Sequence, residues 1–171
     1  TLHRSFDLVV QMVSDGGYTF SLVTNGSTFP KLSSMLRSCN GFTGVTFSLD
    51  GATAAIHDAL RGDGSYRRVM RAVSSCVARN IAFTFNMVLT AKNCHEIESL
   101  VTTASKLGAS GVRFGELMFD PRALQGGLSL TAEERRAEEA KIRGISNTAS
   151  LPVGMAPGHY SSKPFFPCGP L

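Results

Sequence analysis

What most constrains the fold of this chain is a repeated order: a short apolar run, a polar or glycine turn, then a helical pattern. Tyr18 to Val23 runs into Thr24-Asn25-Gly26, Val45 to Leu49 into Asp50-Gly51, and Ile81 to Leu89 and Val112 to Phe119 are built alike. Apolar runs of this length, bounded by turn residues, predict strands. Between them lie helical patterns. Leu2 to Val13 carries apolar residues at helical spacing and stops at Asp15-Gly16-Gly17, Pro30 to Ser38 starts with a proline suited to a first turn, and 52–80 is broken at Arg61-Gly62-Asp63-Gly64. Ser65 is expected to cap the helix after that break, and Asn93 a helix from Cys94 to Leu107 that Gly108 stops. A further helix begins at Thr131, with Glu133, Glu134, Glu138 and Glu139 toward its positive end and Lys141 and Arg143 toward its negative end. Strands separated by helices of this length call for parallel pairing through right-handed crossovers. The class is therefore α/β, and the pattern fits both a segment of a (β/α) barrel and an open doubly wound sheet.

Composition narrows the function classes. With 43% hydrophobic and 18% charged residues in 171, the chain can bury one core. Its net charge of +4 is spread out, with Arg61, Arg67, Arg68, Arg71 and Arg79 the nearest thing to a cluster and no aromatic residues interleaved, so no nucleic-acid partner is expected. No apolar run approaches the roughly 20 residues of a spanning helix, and the N-terminal residues lack a signal-peptide layout. No membrane partner and a cytoplasmic setting are the resulting expectations. Cys39, Cys76, Cys94 and Cys168 are far apart, with no C-x-x-C spacing, so the first three read as free thiols.

In either architecture ligands bind at the strand C-termini and the loops that follow. That face carries Thr24-Asn25-Gly26, Ser48 to Gly51, Leu89-Thr90 and 116–120. Ser48 and Asp50, two apart on one pleat, are expected to point the same way, where a hydroxyl and a carboxylate can bind a sugar diol; the plainer alternative is a turn at Asp50-Gly51 and a cap from Ser48. Asn25-Gly26 allows a positive backbone dihedral and leaves main-chain donors for a polar ligand end, or is a turn only. His57-Asp58 reads as capping or support, because neighbours on a helix diverge. Arg61, at the glycine-rich break, is placed to meet a carboxylate or to be a solvated loop residue. Asn86 and Glu116, polar in otherwise apolar strands, each need a partner or a ligand, unless Glu116 lies at the rim.

Taken in order, Thr24-Asn25-Gly26, Ser48-Leu49-Asp50-Gly51, His57-Asp58, Arg61-Gly62-Asp63-Gly64-Ser65-Tyr66, Asn86-Met87-Val88-Leu89-Thr90 and Asn93 resemble the radical S-adenosylmethionine superfamily over about residues 1 to 120. The likeness is strongest to the branch with a cysteine-rich C-terminal domain, which includes peptide maturases and sulfatase-maturing enzymes. The resemblance implies a partial (β/α) barrel whose four strands correspond to the third to sixth of six. It implies S-adenosylmethionine held by Thr24, Asn25, Gly26, Ser48, Asp50, Arg61, Asn86 and Leu117, with Ser48 and Asp50 at the ribose, Phe114 to Leu117 near the adenine, and Arg61 as a carboxylate partner. It also implies a [4Fe-4S] cluster in the parent protein, a reducing partner such as flavodoxin or ferredoxin, and a peptide or protein substrate from which a 5′-deoxyadenosyl radical abstracts hydrogen.

The C-x-x-x-C-x-x-C and Gly-Gly-Glu motifs of that superfamily are not in this sequence, so the expectation is a fragment that is inactive alone. Cys168 resembles a first ligand of an auxiliary cluster. Residues 1–146 are read as the partial barrel and 147–171 as a connector toward a further domain. No catalytic residue is assigned. A non-catalytic half-barrel serving as a binding or scaffold module is the alternative, while an aldolase-type barrel would need a lysine at a strand end and none is there.

Overall fold

In chain order the elements are α1 (Phe6–Asp15), β1 (Phe20–Thr24), α2 (Phe29–Ser38), β2 (Phe42–Ser48), α3 (Ala54–Arg61), α4 (Ser65–Arg79), β3 (Phe83–Leu89), a 3-10 turn (Cys94–Glu96), α5 (Ile97–Leu107), β4 (Gly111–Glu116), α6 (Ala132–Thr148) and β5 (Val153–Met155). The structure is a computed structural model that describes residues 4–117 and 126–155.

Among the described residues five strands form one sheet in the order β1-β2-β3-β4-β5, every neighbouring pair parallel. That order decides between the two architectures the sequence left open. A doubly wound sheet reverses direction at a switch point, whereas a barrel adds each strand beside the last. Among the described strands no reversal occurs, and the fold is a partial (β/α) barrel. Strand β3 shows how its two faces differ: Phe83, Phe85, Met87 and Leu89 are buried, while Thr84, Asn86 and Val88 between them are only half-buried. Period-two burial of this kind means that helices cover one face and leave the other open. The covered face joins Val45 and Phe47 of β2 and Val112 and Phe114 of β4 to Phe29, Leu36, Val69, Ala72, Val73, Leu100 and Ala104 on the helices, with Phe29 edge-on to Phe47.

Each helix starts or stops for an identifiable reason. Helix α6 opens on a capping box, in which the Glu134 main-chain N–H donates to Thr131 Oγ1 and the Thr131 N–H donates to Glu134 Oε2. Gly108 and Asn80, both left-handed, end α5 and α4.

Three expectations need correction. Ser65 is the first residue of α4, not its cap: Gly64 precedes it, and the Asp58 carboxylate of α3 takes the N–H groups of Gly64 (2.9 Å) and Tyr66 (2.7 Å) and the Ser65 hydroxyl (2.9 Å). Those bonds, Tyr66's first, hold the Asp58 carboxyl below the usual range. Asn93 caps nothing through its side chain, and α5 begins only after the 3-10 turn. Residues 147–155, read as the start of a connector, finish α6 and supply β5, which pairs Val153 with Val112 and Met155 with Phe114. Three residues after Pro152 are too short a run for sequence periodicity to register as a strand.

Candidate functional site

The site is built around a loop that has lost its own ladder partners. Beyond Ser48, β2 gives way to Leu49-Asp50-Gly51-Ala52, all four buried. Buried main-chain groups need partners, and here, apart from one ladder bond, they come from four side chains outside the loop. Leu49 N–H donates to the Asn86 carbonyl (2.9 Å), as a last ladder bond. Asp50 N–H donates to His57 Nδ1 (2.9 Å), and the Asp50 carbonyl accepts from Asn93 Nδ2 (3.0 Å). Ala52 N–H donates to Glu96 Oε2 (2.7 Å), the Ala52 carbonyl accepts from the Tyr66 hydroxyl (3.0 Å), and Thr53 Oγ1 donates to Glu96 Oε1 (3.1 Å). Gly51 has no space for a side chain: a Cβ there would lie 2.8 Å from the His57 nitrogen and 3.0 Å from Glu96 Oε2.

Asn93 is the knot of this arrangement. It is fully buried; its amide nitrogen donates to the carbonyls of Asp50 and Val88, and its oxygen accepts from the Thr90 N–H (2.7 Å) and hydroxyl (2.9 Å). All four bonding positions of the amide are used, which ties the end of β2 to the end of β3.

Asp50 does not stand beside Ser48 on the open face. Its carboxylate lies in the seam between β2 and β3, where Oδ1 accepts from the Val88 N–H (2.9 Å) and so continues the ladder past the strand end, and Oδ2 accepts from Arg61 Nε. Arg61 therefore meets a carboxylate within the chain. In the Thr24-Asn25-Gly26 turn, Gly26 N–H donates to Thr24 Oγ1 (3.2 Å), and the Asn25 side chain accepts from Ser27 N–H (3.1 Å). Gly26 (φ +79) is required both by its dihedral and by α4, since a Cβ would press within 3.2 Å of Val69 and Ala72. Glu116 faces the helices, aligned with buried Leu89, and pairs with Arg135 of α6 (3.9 Å). It lies at the rim. Leu117 follows β4 and is half-buried, while Asp120 and Cys168 fall outside the described residues.

On the open face, register aligns Ser48 with Asn86 and Asn86 with Arg113. Arg113 was not anticipated, although its place between Val112 and Phe114 gives it the parity of an open-face residue. Among the described residues none of these three side chains has a hydrogen-bond or ion-pair partner. One row deeper, Thr46 and Thr84 satisfy each other through their hydroxyls (2.8 Å). The row nearer the strand ends is thus the one with unfilled polar capacity.

His57, 2% exposed, has its pKa lowered, first by desolvation; Arg61 and Arg68 add to this while Asp50 and Asp58 oppose it. Neutral Nδ1 is also what accepts from Asp50 N–H. Because the folded pKa lies below the unfolded value of 6.5, the unfolded chain takes up the proton first. Stability is therefore expected to hold above that value and to decline as pH falls from 6.5 toward the folded pKa. Urea unfolding at stepped pH checks this, and His57→Gln should flatten the decline.

The three described cysteines are free and lie on separate segments. Burial pushes the Cys76 thiol up to about 12, and desolvation also raises that of Cys94. Among the described residues no three His, Cys, Asp or Glu side chains converge as a metal site, and no helix is long and apolar enough to cross a membrane.

No protein-family profile matches the chain. It is 35% identical over 96 residues to the mycofactocin maturase MftC of Mycobacterium tuberculosis (strain ATCC 25618 / H37Rv), covering 55% of this chain and 24% of that protein. It is 31% identical over 98 residues to the AdoMet-dependent heme synthase of Methanosarcina barkeri (strain Fusaro / DSM 804), covering 56% of this chain and 28% of that protein. The matched region thus spans about a quarter of these relatives. Among solved structures, Streptococcus suis SuiB bound to S-adenosylmethionine superposes with a TM-score of 0.70 at 17% identity, over 91% of this chain and 37% of that one. Native anSMEcpe with bound AdoMet and Cp18Cys peptide gives 0.66 at 17% identity, over 81% and 40%. At these identities the structures establish a shared fold.

Proposed function

We propose that this chain, which resembles the radical S-adenosylmethionine superfamily in sequence and in fold, is the S-adenosylmethionine-binding part of a peptide-modifying enzyme. The observation that carries the proposal is the polar row at the open strand ends, where Ser48 Oγ and the Asn86 amide have no partner among the described residues beside a loop held rigid by His57, Asn93 and Glu96. Rigid placement matters because a ligand meeting a preset loop does not have to order it on binding.

In this reading Ser48 and Asn86 hydrogen-bond the ribose, a hydroxyl and an amide each offering a donor and an acceptor to a diol. Asp50 keeps the role of a ribose-side residue, now as the group that fixes the seam and orients Arg61 instead of offering a free acceptor pair. Thr24, Asn25 and Gly26 shape the neighbouring turn, and Leu117 with the end of β4 flanks the base. S-adenosylmethionine held here would supply hydrogen-abstraction chemistry only on receiving one electron from a reductant elsewhere in the whole enzyme, a share that belongs to the cofactors. The described residues do not fit a [4Fe-4S] cluster, and no step is assigned to one. The peptide substrate is proposed from relatives and neighbours: a maturase in sequence, and in fold SuiB bound to the precursor peptide SuiA and anSMEcpe bound to the Cp18Cys peptide.

Calorimetric titration of the chain with S-adenosylmethionine tests the cofactor assignment. Binding is expected, and Ser48→Ala should weaken it about tenfold, the effect of losing one or two neutral hydrogen bonds. An unchanged affinity in that variant removes Ser48 from the site, and no binding to the parent chain turns the reading toward a module of another kind.

A further inference from the structure

Arg113 stands apart from the residues given to the cofactor. It lies on the open face one strand beyond Asn86 and two beyond Ser48, about 10 Å away at the usual strand spacing. Three features of its surroundings bear on what it does. It is half-buried and without a partner among the described residues. The carboxylates nearest in sequence or register are spent elsewhere, Glu116 on Arg135 and Asp50 on Arg61. The open-face positions beside it are glycines: Gly115 follows two residues on along β4, Gly154 aligns with it on β5, and a Cβ built on either would meet nothing within 4 Å. A positive charge without a partner among the described residues thus stands beside two positions that carry no side chain.

We infer that Arg113 is the binding residue for a carboxylate of the peptide substrate, positioned across the open face from the cofactor's ribose. The inference rests on the proposed cofactor site, which supplies the orientation. A guanidinium is a planar fork of donors that matches a carboxylate with two parallel bonds, and half-burial strengthens such a pair over its worth in bulk water. The glycines give the carboxylate and the chain attached to it room to approach. The carboxylate can be a peptide C-terminus or an acidic side chain, and that of S-adenosylmethionine itself is the competing source.

The test follows the Arg113 Nε–Hε resonance of the isotopically labelled chain, identified by its loss in Arg113→Gln, with S-adenosylmethionine present and absent. The probes are acetyl-Gly-Gly-Gly as the free acid, the same peptide as its C-terminal amide, and acetyl-Glu-Gly-amide. At least one of the two acidic probes should shift the resonance and bind at least fivefold tighter than the amide. Which of them does so identifies the source. Arg113→Gln should abolish that preference while leaving S-adenosylmethionine affinity within about twofold, and Arg113→Lys should restore part of it, which separates lost recognition from lost folding. Equal binding of acid and amide overturns the inference, as does a tenfold loss of S-adenosylmethionine affinity in Arg113→Gln, which would give the guanidinium to the cofactor. Failure of S-adenosylmethionine to bind with the acid preference intact would sink the cofactor reading and leave Arg113 a carboxylate-binding residue.

Discussion

Replacing Asn93 with alanine is expected to lower the unfolding free energy by about 3 to 5 kcal/mol, near the upper end for a single polar substitution. The size follows from what is stranded. The Thr90 N–H, the Thr90 hydroxyl and the carbonyls of Asp50 and Val88 all lose a partner at a point where Asn93 is fully buried. Each buried polar group left unmade costs about 1 to 3 kcal/mol, moderated where a carbonyl keeps another bond or water enters the vacated space. Asn93→Asp should be at least as harmful although it is isosteric, because it turns an acceptor toward the two carbonyls that the amide nitrogen now serves. Urea titration followed by circular dichroism measures both. A loss below about 1 kcal/mol in the alanine variant would mean that the ends of β2 and β3 hold together without this side chain.

The second large effect is expected at Asp50, and it divides between stability and binding. Asp50→Ala removes the acceptor for Val88 N–H and the partner of Arg61. Arg61 is 38% exposed and can turn to water, so the stability cost, about 2 to 3 kcal/mol, comes mainly from the stranded main-chain donor and the opened seam. Affinity for S-adenosylmethionine should fall more than tenfold, since Ser48 lies two residues before the seam that Asp50 closes. Asp50→Asn separates the two contributions. An asparagine oxygen can still accept from Val88 N–H, so most of the stability should return, while the charge that holds Arg61 does not. If both variants bind S-adenosylmethionine as the parent does, the seam is a structural feature alone and the ribose site lies elsewhere on the face.

These two residues also mark how far the sequence could be read. The alternation of apolar runs and helices was legible because burial imposes its period locally, and Phe83 to Leu89 is as plain in the sequence as in the sheet. Ser48, Asn86 and their nearness to a turn were legible for the same reason. What could not be read was the destination of a side chain whose partner is distant. Asp50 was readable only as a sugar ligand or a turn residue because its partner Val88 is 38 residues away, and Asn93 as a helix cap because caps are the local use of asparagine. Glu96 gave no signal as the acceptor for a loop 44 residues earlier. Arg113 could have been found by counting parity from Val112 and Phe114; β5 could not, since three residues carry too little pattern. His57-Asp58, read as support, serves in that way, His57 under the loop and Asp58 under the start of α4.

The loop after β2 has one more consequence, for the order in which the chain can take shape. Its main-chain groups are held by residues 57, 66, 93 and 96, all of them later in the sequence. A polypeptide leaving the ribosome presents Leu49 to Thr53 some forty residues before it presents Asn93 and Glu96, and until then half of the partners that fix this bend do not exist. β3 emerges a few residues earlier and can take up Leu49 N–H and the Asp50 carboxylate, but it offers nothing to the Asp50 carbonyl or the Ala52 N–H. The strands can begin to associate as they appear, but this end of the sheet is finished late, when the turn after β3 folds back and closes on a loop already made. Completion of this loop thus waits on Asn93 and Glu96, which bracket a single turn of helix.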